Sequence, residues 1–452
     1  RNRVAYYWDG IVNYCNYFIH DDDRVLEIGC GNGESLSKLK GRKRTGIDFS
    51  PKMIALAKKK YSDIEFIQMD AESITFDTTF DVIILSNVIG YFENIQQVFE
   101  SMKSVCHKGT RVIITYYNYM WEPVIKLAEF IGVKKRSLEQ NWLSQIDIDN
   151  LLYLSGFEGY KSTRRLLVPV NIPVLSFLMN KFFSKLPLFN FLCLNTFVCA
   201  RPICAKKEST EKQYSTTVVI PARNESGNIE NAVTRLPQFG KHVEIIFVEG
   251  NSQDDTWETI QKVAKKYKAT HDIKFVKQDG KGKGDAVRKG YSIASGDILM
   301  ILDADLTVPP EELPKFYNAL AEGKGEFING SRMVYPMEKK AMRPLNVLGN
   351  KFFSVSFSWI LETSIKDTLC GTKVMFKKDY VKLAANKKFF GDFDPFGDFD
   401  LIFGAYKLNL KIIDLPIRYK ERTYGDTNIS RFRHGLILLR MCAFAAYKIK
   451  FW

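Results

Sequence analysis

The chain is poor in the residues that build metal frames and disulfide scaffolds. Its 452 residues hold eight cysteines and five histidines, and no C-x-x-C pair occurs. Cys193, Cys199 and Cys204 form the one local group, in an apolar stretch with no histidine beside them. Buried thiols of a reducing compartment are therefore expected, not a zinc site. None of the histidines is placed by a motif as a base. No apolar run reaches the ~18 uninterrupted residues of a spanning helix. No secretory leader is legible, and the chain begins at Arg1 without Met, so an N-terminal piece is expected to be missing. No recognised nucleic-acid module stands out, so nucleic acid is not expected as a partner.

Positive charge is plentiful. The formal net charge is +14, and the stretch 407–452, with ten Lys/Arg against three Asp/Glu, carries half of it. Such a balance points to phosphate-bearing partners or a membrane surface. The length exceeds one ordinary domain, and 46% hydrophobic residues give each half material for a core.

In the first half, Val25-Leu26-Glu27-Ile28 reads as a short strand that runs at once into Gly29-Cys30-Gly31-Asn32-Gly33 and a helical pattern from Glu34. Glycines let a turn approach a ligand closely. The next strand, Thr45-Gly46-Ile47, ends in Asp48, where a carboxylate can grip a ribose diol. Phe66 to Ala71 and Phe80 to Leu85 follow, so strand and helix alternate and a doubly wound parallel sheet is expected.

These residues resemble the class I S-adenosylmethionine-dependent methyltransferases over roughly Val4 to Ala200. The resemblance implies a Rossmann-like fold in which Glu27, Gly29 and Gly31 shape the methionine pocket and Asp48 takes the ribose hydroxyls. Met53 would pack on adenine, Asp70 with Ala71 would read its amino edge, and Asn87 and Tyr91 would line the transfer site. The competing nicotinamide fold lacks its G-x-G-x-x-G, because the third glycine falls at Glu34 or Leu36. Tyr116 to Trp121 would either floor an acceptor pocket or pack below the sheet.

Leu166 to Cys199 is rich in Leu, Phe, Val and Pro but broken by Pro173, Lys181, Lys185 and Pro187. It is expected to be a core helix pair or a partly interfacial segment. The polar run that follows is the expected linker.

The second half opens on Thr216 to Ile220, a strand of β-branched residues ending in Pro221-Ala222-Arg223-Asn224-Glu225. Val243 to Val248 ends in Glu249, and a third strand precedes Gly280-Lys281-Gly282-Lys283-Gly284, which would either cradle phosphate or form a mobile basic loop. It is not a Walker loop, since the G-x-x-x-x-G-K-[ST] spacing fails. The fourth strand, Ile298 to Leu302, delivers Asp303-Ala304-Asp305. Two carboxylates one residue apart either hold a hard cation that anchors a diphosphate or simply end a strand in a polar loop.

Val219 to Glu225, Gly284-Asp285-Ala286, Asp303 to Leu306 and Gly330-Ser331-Arg332 resemble the family 2 glycosyltransferases, and Asp367 to Lys373 resembles the acceptor side of the dolichyl- or polyprenyl-phosphate mannosyltransferase type. The resemblance covers about 215 to 433. It implies a GT-A fold and an inverting transfer from a GDP- or UDP-linked sugar. Pro221, Ala222, Glu225 and Glu249 would line the base and ribose pocket, with Lys283 near the diphosphate. Asp303 and Asp305 would hold Mg²⁺ or Mn²⁺, and Arg332 would face the donor phosphates or acceptor. Arg422 and Arg431 would bind acceptor phosphate. A lipid phosphate needs no base; for a hydroxyl acceptor, Asp398 is the candidate base, although the acids of 392–400 would equally cap a helix.

Leu345 to Leu361 and Gly435 to Trp452 mix large apolar residues with Lys and Arg, as helices on anionic membrane surfaces do, or as core helices with a solvated basic face do. The expected arrangement is thus two doubly wound α/β domains: a methyltransferase domain at 1–205, a linker at 206–214, a glycosyltransferase domain at 215–433 and a basic amphipathic segment at 434–452. The bifunctional enzyme would use S-adenosylmethionine, a divalent metal and a nucleotide sugar on a lipid-phosphate or glycan acceptor. It would work in the cytoplasm, peripherally on the cytoplasmic membrane face. A soluble hydroxyl acceptor beside a degenerate, scaffolding methyltransferase half is the alternative.

Overall fold

The computed structural model describes residues 2–132, 140–203, 214–334, 344–385, 397–422, 424 and 431–451. Most of the expected linker at 206–214 lies outside them. The chain divides into two compact units, residues 1–203 with 451–452, and 204–450.

The first unit is one seven-stranded sheet with helices between its strands. In chain order the elements are α1 (Asn2–Phe18), β1 (Arg24–Ile28), α2 (Glu34–Lys38), β2 (Lys43–Asp48), α3 (Pro51–Lys60), β3 (Glu65–Gln68), β4 (Phe80–Ser86), α4 (Ile95–Met102), β5 (Cys106–Tyr117), α5 (Glu122–Phe130), α6 (Gln145–Leu154), β6 (Phe157–Arg165), α7 (Leu175–Lys181), α8 (Pro187–Asn190) and β7 (Asn195–Pro202). The strand order is β3-β2-β1-β4-β5-β7-β6. β1 to β5 run parallel, and apolar side chains of β1 and β4 are wholly buried, as strands covered on both faces must be. Local signals set the helix starts. Ser50 caps α3 ahead of Pro51, and Ser144 with Asp147 forms a capping box on α6.

The sheet is not parallel throughout. β7 pairs antiparallel with both β5 and β6. Only α7 and α8 in the stretch Leu166 to Cys199 are α-helical, and from Asn195 the chain is a buried strand. Thr196, Phe197 and Val198 suit a pleated, two-sided core better than a helix, so the expected helix pair gives way at that point.

The second unit repeats the principle. Its elements are β8 (Ser215–Ala222), α9 (Ile229–Thr234), β9 (His242–Glu249), α10 (Thr256–Lys266), β10 (Asp272–Lys277), α11 (Lys283–Ile293), β11 (Ile298–Ile301), α12 (Leu313–Ala321), β12 (Phe327–Ser331), α13 (Pro344–Leu361), β13 (Lys373–Phe376), α14 (Lys377–Ala385), α15 (Asp398–Lys407), β14 (Ile412–Pro416) and α16 (Arg431–Ala445). The order is β10-β9-β8-β11-β13-β12-β14, with β13 antiparallel to β11 and β12 and the other pairs parallel. Val218, Ile220, Phe247, Met300 and Leu302 lie in one fully sealed core on the sheet.

Chain order reverses between β1 and β4 in the first sheet and between β8 and β11 in the second. Open α/β sheets leave a crevice at such a reversal, beyond the carboxyl ends of the strands.

Candidate functional site

The crevice of the first unit starts at the glycine turn after β1. Gly29, Gly31 and Gly33 have φ of 71°, 52° and 75°, a region where a side chain would be strained. A Cβ on Gly29 would meet Val88 Cγ1 at 2.7 Å, so this turn packs against the loop after β4, whereas a Cβ on Gly31 would meet nothing within 4 Å. Open space thus faces Gly31. The Asp48 carboxylate at the end of β2 accepts the Gly31 N–H at 2.9 Å and the Ser50 N–H at 2.9 Å, tying the two strand ends together. Beneath the turn, Glu27 is 1% exposed with Oε2 lacking a partner, and burial pushes its carboxyl up to about 8. Met53 and Asp70 are exposed, Ala71 is buried, and Asp70 caps the next turn by accepting the Glu72 N–H at 2.9 Å.

Asn87, just past β4, adopts a left-handed φ of 53°. Its amide is turned inward. Nδ2 donates to Tyr7 Oη at 2.7 Å, and Oδ1 accepts from Asn195 Nδ2 at 2.8 Å and Thr115 Oγ1 at 3.3 Å. Tyr7 Oη in turn donates to Asn195 Oδ1 at 2.8 Å, and burial, then Tyr117, drives its hydroxyl well above the usual phenol range. Asn87 therefore anchors a clamp that fixes the loop. Beside it lies a small cleft lined by Asn87, Gly90, Tyr117, Asn141 and Trp142 among others. Tyr117 stacks on Tyr7 with centroids 6.2 Å apart. Tyr91 is 42% exposed. Tyr116 and Tyr117 both line the cleft, Tyr116 from the core side at 5% exposure. Tyr7, Asn195 and Trp142 were not foreseen, because none belongs to a local motif and hydrogen-bond partners 188 residues apart leave no pattern in the sequence.

In the second unit the strand β11 carries the chain into Asp303 and Asp305, whose side chains are 27% and 15% exposed. Lys283, the first residue of α11, places Nζ 2.6 Å from Asp303 Oδ1. Burial opposes the charge on Asp303, yet Lys283, then Arg332 and Lys373, hold its carboxyl below the usual range. Asp305 Oδ1 accepts the Thr307 hydroxyl at 2.8 Å, and its Oδ2 receives Arg422 Nη2 at 2.7 Å. Arg422 Nη1 also reaches Glu225 Oε1 at 3.2 Å, so one guanidinium bridges two strand ends. Glu225 is 6% exposed, and burial pushes it up to about 7 against the pull of Arg422. Tyr424 Oη lies 2.9 Å from Ser226 Oγ, and the Lys420 N–H donates to Thr307 O, so the chain after β14 lies across the acidic loop. Pro221 is half-buried and Ala222 is buried. Glu249 is 3% exposed and accepts the Ser252 N–H at 2.5 Å, which shapes its own loop.

Arg332 departs from expectation. Its guanidinium is committed to the fully buried Asp367, at 2.7 Å through Nε and 2.9 Å through Nη2, which holds the Asp367 carboxyl down to about 2 despite burial. Arg332 therefore acts on Asp303 through its field. Gly371, in the turn before β13, backs the Asp303–Lys283 pair so closely that a Cβ there would overlap both side chains. Asp398 begins α15, Arg431 begins α16, and the side chains of both lie outside the described residues, as do 392–396. Among the described residues, no group of three or more His, Cys, Asp or Glu could hold a metal.

Comparison with known proteins separates the units in the same way. Residues 217–383 match the family described as Glycosyl transferase family 2, and residues 19–157 match the Methyltransferase domain family. The dolichol-phosphate mannosyltransferase of Pyrococcus furiosus is 38% identical over 121 residues, covering 26% of this chain and 33% of the relative's own length. Glycosyltransferase AglJ of Haloferax volcanii is 26% identical over 224 residues, 49% of this chain and 68% of that protein. A solved S-adenosylmethionine-dependent methyltransferase from Mesorhizobium loti aligns with 43% of this chain and 99% of its own, at 15% identity and a TM-score of 0.33. The chain thus carries a methyltransferase domain, matched over residues 19–157, followed by a family 2 glycosyltransferase domain, matched over residues 217–383.

Proposed function

We propose that the second unit transfers a sugar, with inversion and with a divalent metal, from a nucleotide diphosphate to a lipid phosphate or lipid-linked glycan, and that the first unit methylates a substrate related to it. The observation that carries the reading is the half-open acidic pair Asp303 and Asp305 at the switch point, ringed by Lys283 and Arg422. The donor set is all hard oxygen, the kind that Mg²⁺ or Mn²⁺ takes, and Asp303 and Asp305 would hold the ion. When bound, the cation would neutralise the leaving diphosphate. Lys283 would hold a donor phosphate, and Arg422 would turn from Asp305 to phosphate once the pair is filled. Arg332 and Asp367 hold the loop that positions Asp303. Glu225, Pro221, Ala222 and Glu249 would shape the nucleoside pocket. An anionic lipid phosphate attacks without a base; Arg431 would bind it, and Asp398 would take the proton from a hydroxyl acceptor. The mannosyl and other polyprenyl-phosphate transferases among the similar proteins support the lipid acceptor.

In the first unit, the space before Gly31, the carboxylate of Asp48 and the unpartnered Oε2 of Glu27 fit S-adenosylmethionine. Bound there, it supplies an electrophilic methyl group. Asn87, held by Tyr7 and Asn195, would keep the acceptor cleft in place, and Met53, Asp70 and Ala71 would flank the adenine.

The second unit would sit on the cytoplasmic face of a membrane. Leu348, Phe352 and Val355 expose one side of α13, with Lys351 beside them. Leu436 and Leu439 expose one side of α16 next to Arg440. No described helix is long and apolar enough to cross a membrane. A thermal-shift screen of GDP and UDP sugars with and without Mn²⁺ tests the reading. Stabilisation by a nucleotide sugar that needs Mn²⁺ is expected, and no response to any of them would refute the sugar-transfer assignment.

A further inference from the structure

Resting on the reading of the first unit as a methyltransferase, we infer that its small cleft receives an amino group, so that the methyl group passes to nitrogen and not to a hydroxyl, a carboxylate or a phosphate. The cleft is placed for the reacting atom. Asn87, Ile89 and Gly90, in the loop after β4, make one wall. Val88 of the same loop packs on the glycine turn, where a Cβ on Gly29 would meet its Cγ1 at 2.7 Å. Residues 140–143 make the other wall. The Asn141 N–H donates to Gly90 O at 2.8 Å, and a Cβ on Gly90 would lie 2.8 Å from Asn141 O, so the two walls touch. The inference asks only that the reacting group enter between them, with the rest of the acceptor outside.

The lining selects the chemistry. Among the described residues it carries no Lys, Arg, His, Asp or Glu. Burial raises the Tyr116 phenol well above its usual range, so that hydroxyl does not serve as a base. A hydroxyl acceptor must give up its proton to a base as it is methylated, and a carboxylate or phosphate enters such a place only against a cation. An amine needs neither, because its nitrogen already carries the lone pair. It needs instead a setting for positive charge, and aromatic faces attract cations. Tyr117 and Trp142 provide two such rings, with centroids 6.2 Å apart and planes at 36°. Tyr7 stacks on Tyr117 at 22° and steadies that ring. Asn87, Gln140 and Asn141 add amide oxygens of the kind that accept N–H groups. Next to Gly90, the 42% exposed Tyr91 lies within the field of both Tyr117 and the Glu129 carboxylate, so an acid stands near the approach. The amine leaves its proton in water and enters neutral. Its lone pair forms the C–N bond as the C–S bond of the sulfonium breaks, and the sulfur keeps that electron pair as a thioether. One ammonium and one sulfonium thus give one methylammonium, one thioether and one proton.

The full chain, S-adenosylmethionine labelled in its methyl group, and a total extract of small molecules and lipids from the source organism test this. The labelled product is expected to bind a cation exchanger at low pH. It should also keep its label through hot alkali and through hydriodic acid, which strip methyl esters and methyl ethers. Label released by either reagent, product that the exchanger does not retain, or no transfer at all from a chain that binds S-adenosylhomocysteine overturns the amine. Trp142→Leu is expected to slow transfer about thirtyfold, while Trp142→Tyr, which keeps an aromatic face, stays within about threefold of the parent chain. Both variants should retain the thermal stabilisation that S-adenosylhomocysteine gives the parent chain. Equal losses in the two variants, with that stabilisation intact, overturn the aromatic setting. Failure of the unmodified chain to bind S-adenosylhomocysteine would instead strike the methyltransferase reading itself.

Discussion

Arg422 shows how one side chain holds an acidic site together. Three carboxylates, Glu225, Asp303 and Asp305, share two cations, and Arg422 touches two of the three. Removing it leaves excess negative charge in a partly buried place, where Coulomb terms are larger than in water. Arg422→Gln is expected to bind Mn²⁺ alone about tenfold more tightly and a nucleoside diphosphate more weakly, read by calorimetry. Unchanged metal affinity would show that the guanidinium does not compete for the site. Glu27 gives a pH test. Its folded carboxyl stays protonated to about 8, while the unfolded group ionises near 4.5. Between those values the unfolded chain holds fewer protons, so stability falls as pH rises through the window. Glu27→Gln removes the titration. Its advantage over the parent chain in melting temperature should grow from pH 5 to pH 8 and then level off, reflecting on the order of a few kcal/mol. A gap that does not vary with pH would refute the buried neutral acid. Residues of this sort differ in how well the sequence reveals them. Asp303, Asp305 and Asp48 stand at the ends of apolar strands, where the strand pattern places them and the family resemblance gives them a role. Tyr7 and Asn195 act through contacts remote along the chain, and no local pattern announces them.

At the scale of elements, strand ends and turns do the positioning. The turn before β13 brings Gly371 against the Asp303–Lys283 pair, and its φ is not in the left-handed region, so the crowding is steric alone. Gly371→Ala is expected to fold and to lose sugar transfer by at least about a hundredfold, roughly 2.7 kcal/mol, with circular dichroism as the folding control. Transfer near the parent rate would show that the pair tolerates displacement. The parallel strands were readable because buried runs bounded by glycine or acid repeat with helical patterns between them. β7 was not, since its apolar residues continue an apolar stretch with no change of composition at Asn195, and short apolar runs fit helix and strand equally well. Arg332 shows the same limit. Its place after β12 follows from sequence order, but its commitment to Asp367 depends on how β12 and β13 pair.

The whole molecule joins two crevices, each set where a sheet reverses its strand order, in units that each have their own core. The alternation of strands and helices made both folds legible, while the antiparallel β7 and β13 depend on pairings across the sheet. Because each crevice is built from one unit's strands, ligand binding should be separable. The most direct test is calorimetric titration of the full chain with S-adenosylhomocysteine and, separately, with GDP or UDP plus Mn²⁺, repeated on Asp48→Asn and Asp305→Asn. Asp48→Asn should lose heat only for the first ligand and Asp305→Asn only for the second. Loss of both ligands from either variant, or nucleotide binding that survives Asp305→Asn unchanged, would contradict the assignment of two independent sites.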